Sequence, residues 1–204
     1  MRSAFLPLFA AFFLVVLPAP SVAAPSSAMP DALLDGNYWL DTMRSTVSFR
    51  LKPLQLPLFG GRFDSLSGTL DYNSAAVAQS SLEISADTDG VDTGFGFLDR
   101  KLAGPGALDA AAFPHATLHM TRLDIAGTHA TVTGDLTLHN VTHDIVLVGT
   151  LDSLPSADTT TAAIHLSVSG SVSRSMFGMD GLSFIADKVP VTVDAQFDYV
   201  PPDH

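Results

Sequence analysis

Alternation with a period of two dominates the chain. Val47, Phe49 and Leu51 alternate with Thr46, Ser48 and Arg50; Ile164, Leu166, Val168 and Val172 alternate with His165, Ser167, Ser169 and Ser173. Val189, Val191, Val193, Ala195, Phe197 and Tyr199 alternate with Thr192, Asp194, Gln196 and Asp198. Successive side chains of a strand point to opposite faces, so each set turns one face to a core and the other to water. Residues 132–138 and 145–151 read as two more strands and 82–86 as a short one; 59–72 and 117–125 complete a set of about eight. Turn signals separate them, at 124–129 and at His139-Asn140-Val141-Thr142, where Asn suits left-handed backbone. The rhythm breaks once, over 87–114. That stretch holds Gly90, Gly94, Gly96, Gly104, Pro105 and Gly106, then a helix-like run at 107–113 that Pro114 stops. A connection of this length is usually functional or a lid. The pattern predicts an all-β fold, an eight-stranded antiparallel barrel with one short helix in a long loop. Closure removes exposed edges, and eight strands leave an interior that side chains fill or that holds one small ligand. A two-sheet sandwich would show much the same alternation.

The first residues belong to a different pattern. Met1-Arg2 is a minimal basic start, Ala4 to Leu17 is apolar except for Pro7, and Ser21-Val22-Ala23-Ala24 supplies small residues for cleavage after Ala23 or Ala24. This reads as a secretory signal peptide over 1–24, shorter than a bilayer-spanning helix, followed by a flexible Pro/Ser/Ala-rich leader over 25–36 and one domain over 37–200. Export to the periplasm or beyond is the expected localisation. The formal net charge is −11, which disfavours nucleic acid as a partner and repels anionic membranes at long range; no stable membrane insertion is expected once the signal is cleaved. The chain has no Cys, so packing alone holds the fold and thiol chemistry is excluded.

Candidate chemistry is sparse. His115/His119 and His139/His143 share a four-residue spacing, but along a strand those ends lie roughly 13 Å apart. His139 and His143 flank a turn and can meet across it, yet no carboxylate–His cluster of metal-binding spacing supports a site. Asp87-Thr88-Asp89-Gly90-Val91-Asp92 lacks the regular Asp spacing and closing Glu of a calcium loop and reads as a solvated acidic turn. Gly94-Phe95-Gly96 has no strand-to-helix dinucleotide context, there is no Gly-x-Ser-x-Gly elbow, and Glu83, the sole Glu, is expected to face water. No metal, cofactor or catalytic residue is expected.

An ordered series of short motifs resembles the YceI-like family of periplasmic lipid-binding proteins. It comprises Tyr38-Trp39-Leu40-Asp41 with Ser45-Thr46-Val47-Ser48-Phe49; Gly61-Arg62-Phe63 and Leu66-Ser67-Gly68-Thr69-Leu70; Val91-Asp92-Thr93, Asp99, Leu102, Leu108-Asp109 and Phe113-Pro114. Gly134-Asp135-Leu136-Thr137-Leu138 with Val141-Thr142, and Arg174 with Phe177-Gly178-Met179, close the series. The chain departs from the family pattern at Arg44, at Leu98-Asp99 and Lys101-Leu102, and at Asn140 and His143. The resemblance implies an extended lipocalin-like barrel around an apolar tunnel for an isoprenoid or quinone-like tail, bound without catalysis, and a scaffold compatible with a homodimer. An apolar tail gains about 0.8 kcal/mol per buried methylene, so a dry tunnel needs no further chemistry. Phe49, Leu51, Phe63, Phe95, Phe97, Phe113, Met176, Phe177 and Met179 are the expected tunnel residues, Met because it adapts to irregular apolar guests. Arg174, Lys101 and Asp99 are the expected rim, with Arg174 meeting a carboxylate or an anionic headgroup. Two other readings stand beside this one: a small enzyme using Asp99, Lys101 and Arg174, and a ligand-free envelope stress module with a filled barrel.

Overall fold

The computed structural model describes residues 33–53, 59–154 and 162–201; the residues read as a signal peptide and most of those read as a leader lie outside them. The elements are β1 (Gly36–Leu40), β2 (Thr46–Leu51), β3 (Phe59–Phe63), β4 (Leu66–Tyr72), β5 (Ser81–Asp87), β6 (Val91–Asp92), α1 (Gly96–Ala103), β7 (His115–Ala126), β8 (His129–Leu138), β9 (Val141–Leu154), β10 (Ala163–Ser173) and β11 (Lys188–Tyr199). Eight strands close a barrel in the order β1-β4-β5-β7-β8-β9-β10-β11, with β11 returning to β1 through Tyr38 opposite Tyr199 and Leu40 opposite Phe197. Every neighbouring pair is antiparallel.

The remaining three strands extend the wall. β2 takes over the place of β1 against β11, from Asp194 opposite Thr46 to Val191 opposite Phe49. β3 pairs with β2 and β6 with β3, so β1–β2, β3–β4 and β5–β6 are three consecutive broken strands. The run read as one strand over 59–72 is therefore two, parted at Asp64 and Ser65. Main-chain hydrogen bonds staple the breaks: Asp41 N–H to Gln196 O (2.8 Å), Asp64 N–H to Gly90 O (3.0 Å) and Asp87 N–H to Ser65 O (3.0 Å). The wall is continuous in hydrogen bonding although the strands are not, which satisfies backbone groups that burial would otherwise penalise.

Closing eight strands requires sharp coiling, and the inner face carries Gly where neighbours approach. A Cβ at Gly149 would run into the Ser167 carbonyl on β10, and one at Gly134 would lie 2.6 Å from His119 O on β7. Glycine at these corners is a packing requirement.

The helix lies earlier than the sequence pattern suggests. α1 spans Gly96–Ala103, whereas 107–113 forms turns. Gly106 and Asp109 both have positive φ (80° and 47°), which no helix accommodates, and the segment closes by Asp109 N–H to Gly104 O and Ala110 N–H to Ala103 O. The run of Ala between Gly106 and Pro114 is too short to recover the cost of helix nucleation.

The core has two parts. Tyr38, Tyr72, Ile164 and Phe197 are fully buried and plug the end where β1 begins and β11 finishes. Leu51, Leu102, Leu138, Phe177, Met179 and Leu182 pack in the opposite end, beneath α1 and the 174–187 loop.

Candidate functional site: an apolar cavity at one end of the barrel

The cavity opens where two side chains shrink. Along the β5–β7 ladder, Ile84 faces Leu118 and the next inward pair is Ala86 facing Ala116. Replacing two branched side chains by two methyl groups at one level leaves space between the two core clusters. The void measures about 160 Å³. Its wall comes from β2 and β3, from the β8–β9 hairpin through Leu136 and Ile145, from β10 and β11 through Val172 and Val191, and from the 104–109 and 178–182 loops. Arg174 is the sole ionisable side chain on that wall among the described residues. The two loops meet directly above it, with Gly181 N–H donating to Gly106 O at 2.7 Å.

Four of the nine expected tunnel residues border this void: Phe49, Leu51, Phe63 and Met179. Phe49 and Phe63 also pack on each other, with ring centroids 5.6 Å apart. The others lie elsewhere. Phe177 is completely buried but off the wall, edge-on to His143 at 5.1 Å. Met176, its neighbour on a 3₁₀ turn, is half exposed, because adjacent residues of so tight a turn point in divergent directions. Phe113 is half-buried against His139, at 4.5 Å. Phe95 and Phe97 are 66% and 74% exposed. Helix α1 turns Leu98 and Leu102, one turn apart, to the core, which sends Phe97 outward.

The expected rim also takes a different form. Arg174 meets no carboxylate. Its guanidinium donates to three main-chain carbonyls: Nη1 to Met179 O (2.6 Å), Nη2 to Ile185 O (2.9 Å) and Nε to Ala186 O (3.2 Å). It ties together the loop that roofs the cavity, its planar fork matching divergent acceptors as an ammonium cannot. Asp187 closes the same loop by accepting from Ser175 N–H at 2.9 Å, and this hydrogen bond holds its carboxyl below the usual range. Asp99 accepts from Thr93 N–H (2.7 Å) and Thr93 Oγ1–H (2.6 Å), fixing the entry to α1. Lys101 is exposed on the outer face of that helix. Asp99 and Arg174 are thus engaged in loop hydrogen bonds, and Lys101 faces outward.

His139 and His143 each turn a ring nitrogen to a main-chain carbonyl. Nδ1 of His139 lies 3.1 Å from Phe177 O and Nε2 of His143 lies 2.9 Å from Met176 O, so the β8–β9 hairpin latches the 174–177 turn. His115 and His119 each face a carboxylate: His115 pairs with Asp87 at 2.9 Å and His119 approaches Glu83 at 3.9 Å.

Ala86, Ala116, Leu118 and Leu136 also line the cavity, beyond the residues expected from sequence. Their parity places them on the inner face, and the facing alanines were the available signal.

The family model for the YceI-like domain matches residues 38–197, nearly the whole described barrel. The chain belongs to the YceI-like family. Its YceI-like relatives include a UPF0312 protein of Vibrio cholerae serotype O1, 31% identical over 134 residues (64% of this chain, 70% of the relative). A UPF0312 protein of Vibrio campbellii is 28% identical over 123 residues, which cover 59% of this chain and 65% of that relative, a little under two thirds of its length. Among solved structures, Burkholderia cenocepacia BcnA superposes with a TM-score of 0.65 at 23% identity, covering 77% of this chain and 98% of BcnA. A polyisoprenoid-binding domain from Saccharophagus degradans gives a TM-score of 0.62 at 19% identity, covering 80% and 98%. At these identities the likeness establishes the YceI-like fold. Within that fold two departures of this chain are structural: Arg44 pairs with Asp41 (3.3 Å) at the β1–β2 break, and His143 is half of the latch described above.

Proposed function

We propose that this chain binds the apolar tail of an amphiphilic lipid, an isoprenoid or quinone-like molecule, as a non-catalytic carrier in the periplasm. The observation that carries the reading is the cavity: about 160 Å³ bounded by hydrocarbon, with the far end of the barrel packed solid. An apolar void of that size stays dry and admits a small hydrocarbon guest. A longer tail extends from it toward the roof, where the Gly106–Gly181 contact is the point to be parted. The description of the Saccharophagus degradans domain as polyisoprenoid-binding supports the ligand class, and the N-terminal apolar stretch supports export. A filled-barrel stress module fits less well, because the side chains leave this space open.

The test is organic extraction and native mass spectrometry of the purified mature chain, together with Ala116→Phe. Residue 116 faces the void, so a benzyl group there fills it without displacing packed neighbours. The wild-type chain is expected to yield an apolar molecule, and the variant to fold yet retain at least about ten-fold less, given the methylene contacts it removes. A variant that folds and retains as much as wild type would take the site away from this cavity.

A further inference from the structure

The roofed end of the barrel differs chemically from the rest of the surface. The chain carries ten Lys and Arg; setting aside Arg2 leaves nine in the described residues. All but Arg44 and Arg122 lie on the elements around the cavity, and those two are each paired with a nearby Asp. Of the cations at the cavity end, Arg62 is paired with Asp64 and Asp92 and Arg174 is held by main-chain carbonyls. Arg50, Lys52, Arg100, Lys101 and Lys188 are exposed and in no ion pair among the described residues.

These free cations sit beside exposed phenyl rings on both sides of the roof. On α1 the outward residues are Phe97, Arg100 and Lys101, at spacings of three and four, with Phe95 just before the helix. Across the Gly106–Gly181 contact, Phe184 is 41% exposed, and its neighbour Ile185 bridges to Pro53, next to Lys52. Ala186 N–H donates to Lys52 O, bringing Lys52 near the start of β11, where Lys188 is exposed. Three carboxylates nearby are engaged by neighbouring groups: Asp92 by Arg62, Asp99 by Thr93 and Asp187, itself exposed, by Ser175. Asp89 and Asp180 are exposed and Asp109 is half-buried.

We propose that this end docks on an anionic lipid bilayer, with Phe95, Phe97 and Phe184 entering the interfacial layer and Arg100, Lys101, Lys52 and Lys188 meeting lipid phosphates. Aromatic rings flanked by Lys and Arg are the side chains that favour a membrane–water interface. The net charge of −11 opposes approach at long range, so contact is confined to the one face where cations are unpaired, and that face surrounds the cavity. Docking there presents the apolar void to the bilayer without exposing a tail to water. In purpose, though not in binding itself, the proposal rests on the lipid-carrier reading.

The experiment is vesicle flotation with phosphatidylglycerol and with phosphatidylcholine vesicles, at low and at physiological salt. Arg100→Glu/Lys101→Glu is compared with Arg44→Glu/Arg122→Glu, which makes the same charge change away from the roof. The wild-type chain is expected to float with phosphatidylglycerol and less so with phosphatidylcholine or added salt. The α1 variant should lose at least about ten-fold in binding and the Arg44/Arg122 variant should keep most of it. Phe97→Trp provides a second readout that does not depend on a charge-reversed variant folding. Brominated lipid should quench the indole introduced at position 97 and leave Trp39, the only native Trp, unaffected. Absence of flotation by the wild-type chain, equal loss in both double variants, or equal quenching at the two positions would each overturn the proposal. Extracting cargo from the same preparations separates the two readings. Cargo without flotation defeats docking alone, and flotation without cargo defeats the carrier alone.

Discussion

At the scale of the residue, Arg174 is the most consequential polar side chain of the cavity wall. It stands at the end of β10 and directs its guanidinium to Met179, Ile185 and Ala186, so one charge organises a loop with little regular structure of its own. Hydrogen bonds to charged donors contribute about 1.5–3 kcal/mol each in favourable cases, and the three here share one partly buried group. Arg174→Met is therefore expected to destabilise the fold by about 2–4 kcal/mol, and Arg174→Lys to recover only part of that, because one ammonium cannot span three divergent carbonyls. Urea denaturation midpoints check this; a Lys variant as stable as wild type would show that the charge matters and the fork does not. Tyr72 is a residue of the opposite kind. Its hydroxyl is buried with no protein partner, and burial raises its pKa.

At the scale of the element, the β8–β9 hairpin joins turn chemistry to the cavity roof. His139 and Asn140 both have positive φ (54° and 58°), the signature of a two-residue type I′ turn. Left-handed backbone tolerates Asn and prefers Gly, so Asn140→Gly is expected to raise stability by a few tenths to about 1 kcal/mol, and Asn140→Val to lower it by a similar amount or more. His139→Gly should differ, since it relieves the turn but removes the latch to Phe177 O. Thermal melts of the three variants separate turn from latch: if His139→Gly gains as much as Asn140→Gly, the latch contributes nothing. The α1 element shows how a short helix is set by its ends. Asp99 closes the Thr93 turn, Gly104 ends the helix, and one buried Leu anchors it. A segment held by so few contacts is the part of the roof that opens at least cost.

At the scale of the whole molecule, the barrel divides into a solid end and a hollow one. The solid end places Tyr38 fully inside, its hydroxyl donating to Leu34 O at 2.7 Å, and burial pushes its pKa up to about 12. The neutral phenol is thus favoured in the folded state. Tyr38 supports the fold fully below its ordinary pKa of about 10, and that support is lost as pH rises from there toward about 12, where the unfolded chain ionises first. Alkaline titration followed by circular dichroism should show unfolding across that window. Tyr72→Phe is expected to move the midpoint upward, because it removes both an ionisable group with a raised pKa and an unpaired hydroxyl. An unchanged midpoint would mean that neither buried phenol governs the alkaline limit. At the hollow end the 160 Å³ void means that packing there is incomplete. Tight packing and open space are therefore divided between the two ends.

The sequence by itself determined the all-β class, most strand positions and the inward parity of each strand, because period-two alternation is a local consequence of strand geometry. Val189, Val191 and Val193 could be placed on the inner face without coordinates. Closure against a sandwich, the break of 59–72 into two strands and the displacement of the helix from 107–113 to Gly96–Ala103 were decided by tertiary structure. The residues expected to line a tunnel divide in the same way. Phe49, Leu51 and Phe63 lie on strands whose parity is legible, and they border the void. Phe95, Phe113, Met176 and Phe177 lie on turns and loops, where no period tells in from out, and Phe97 lies on the helix whose place the pattern missed; Met179, on a loop, borders the void all the same. Arg174 was legible as a special residue, but its partners are main-chain carbonyls, which carry no residue identity for a sequence to display. The cavity itself depends on Ala86 facing Ala116 across two strands whose register only the folded barrel sets.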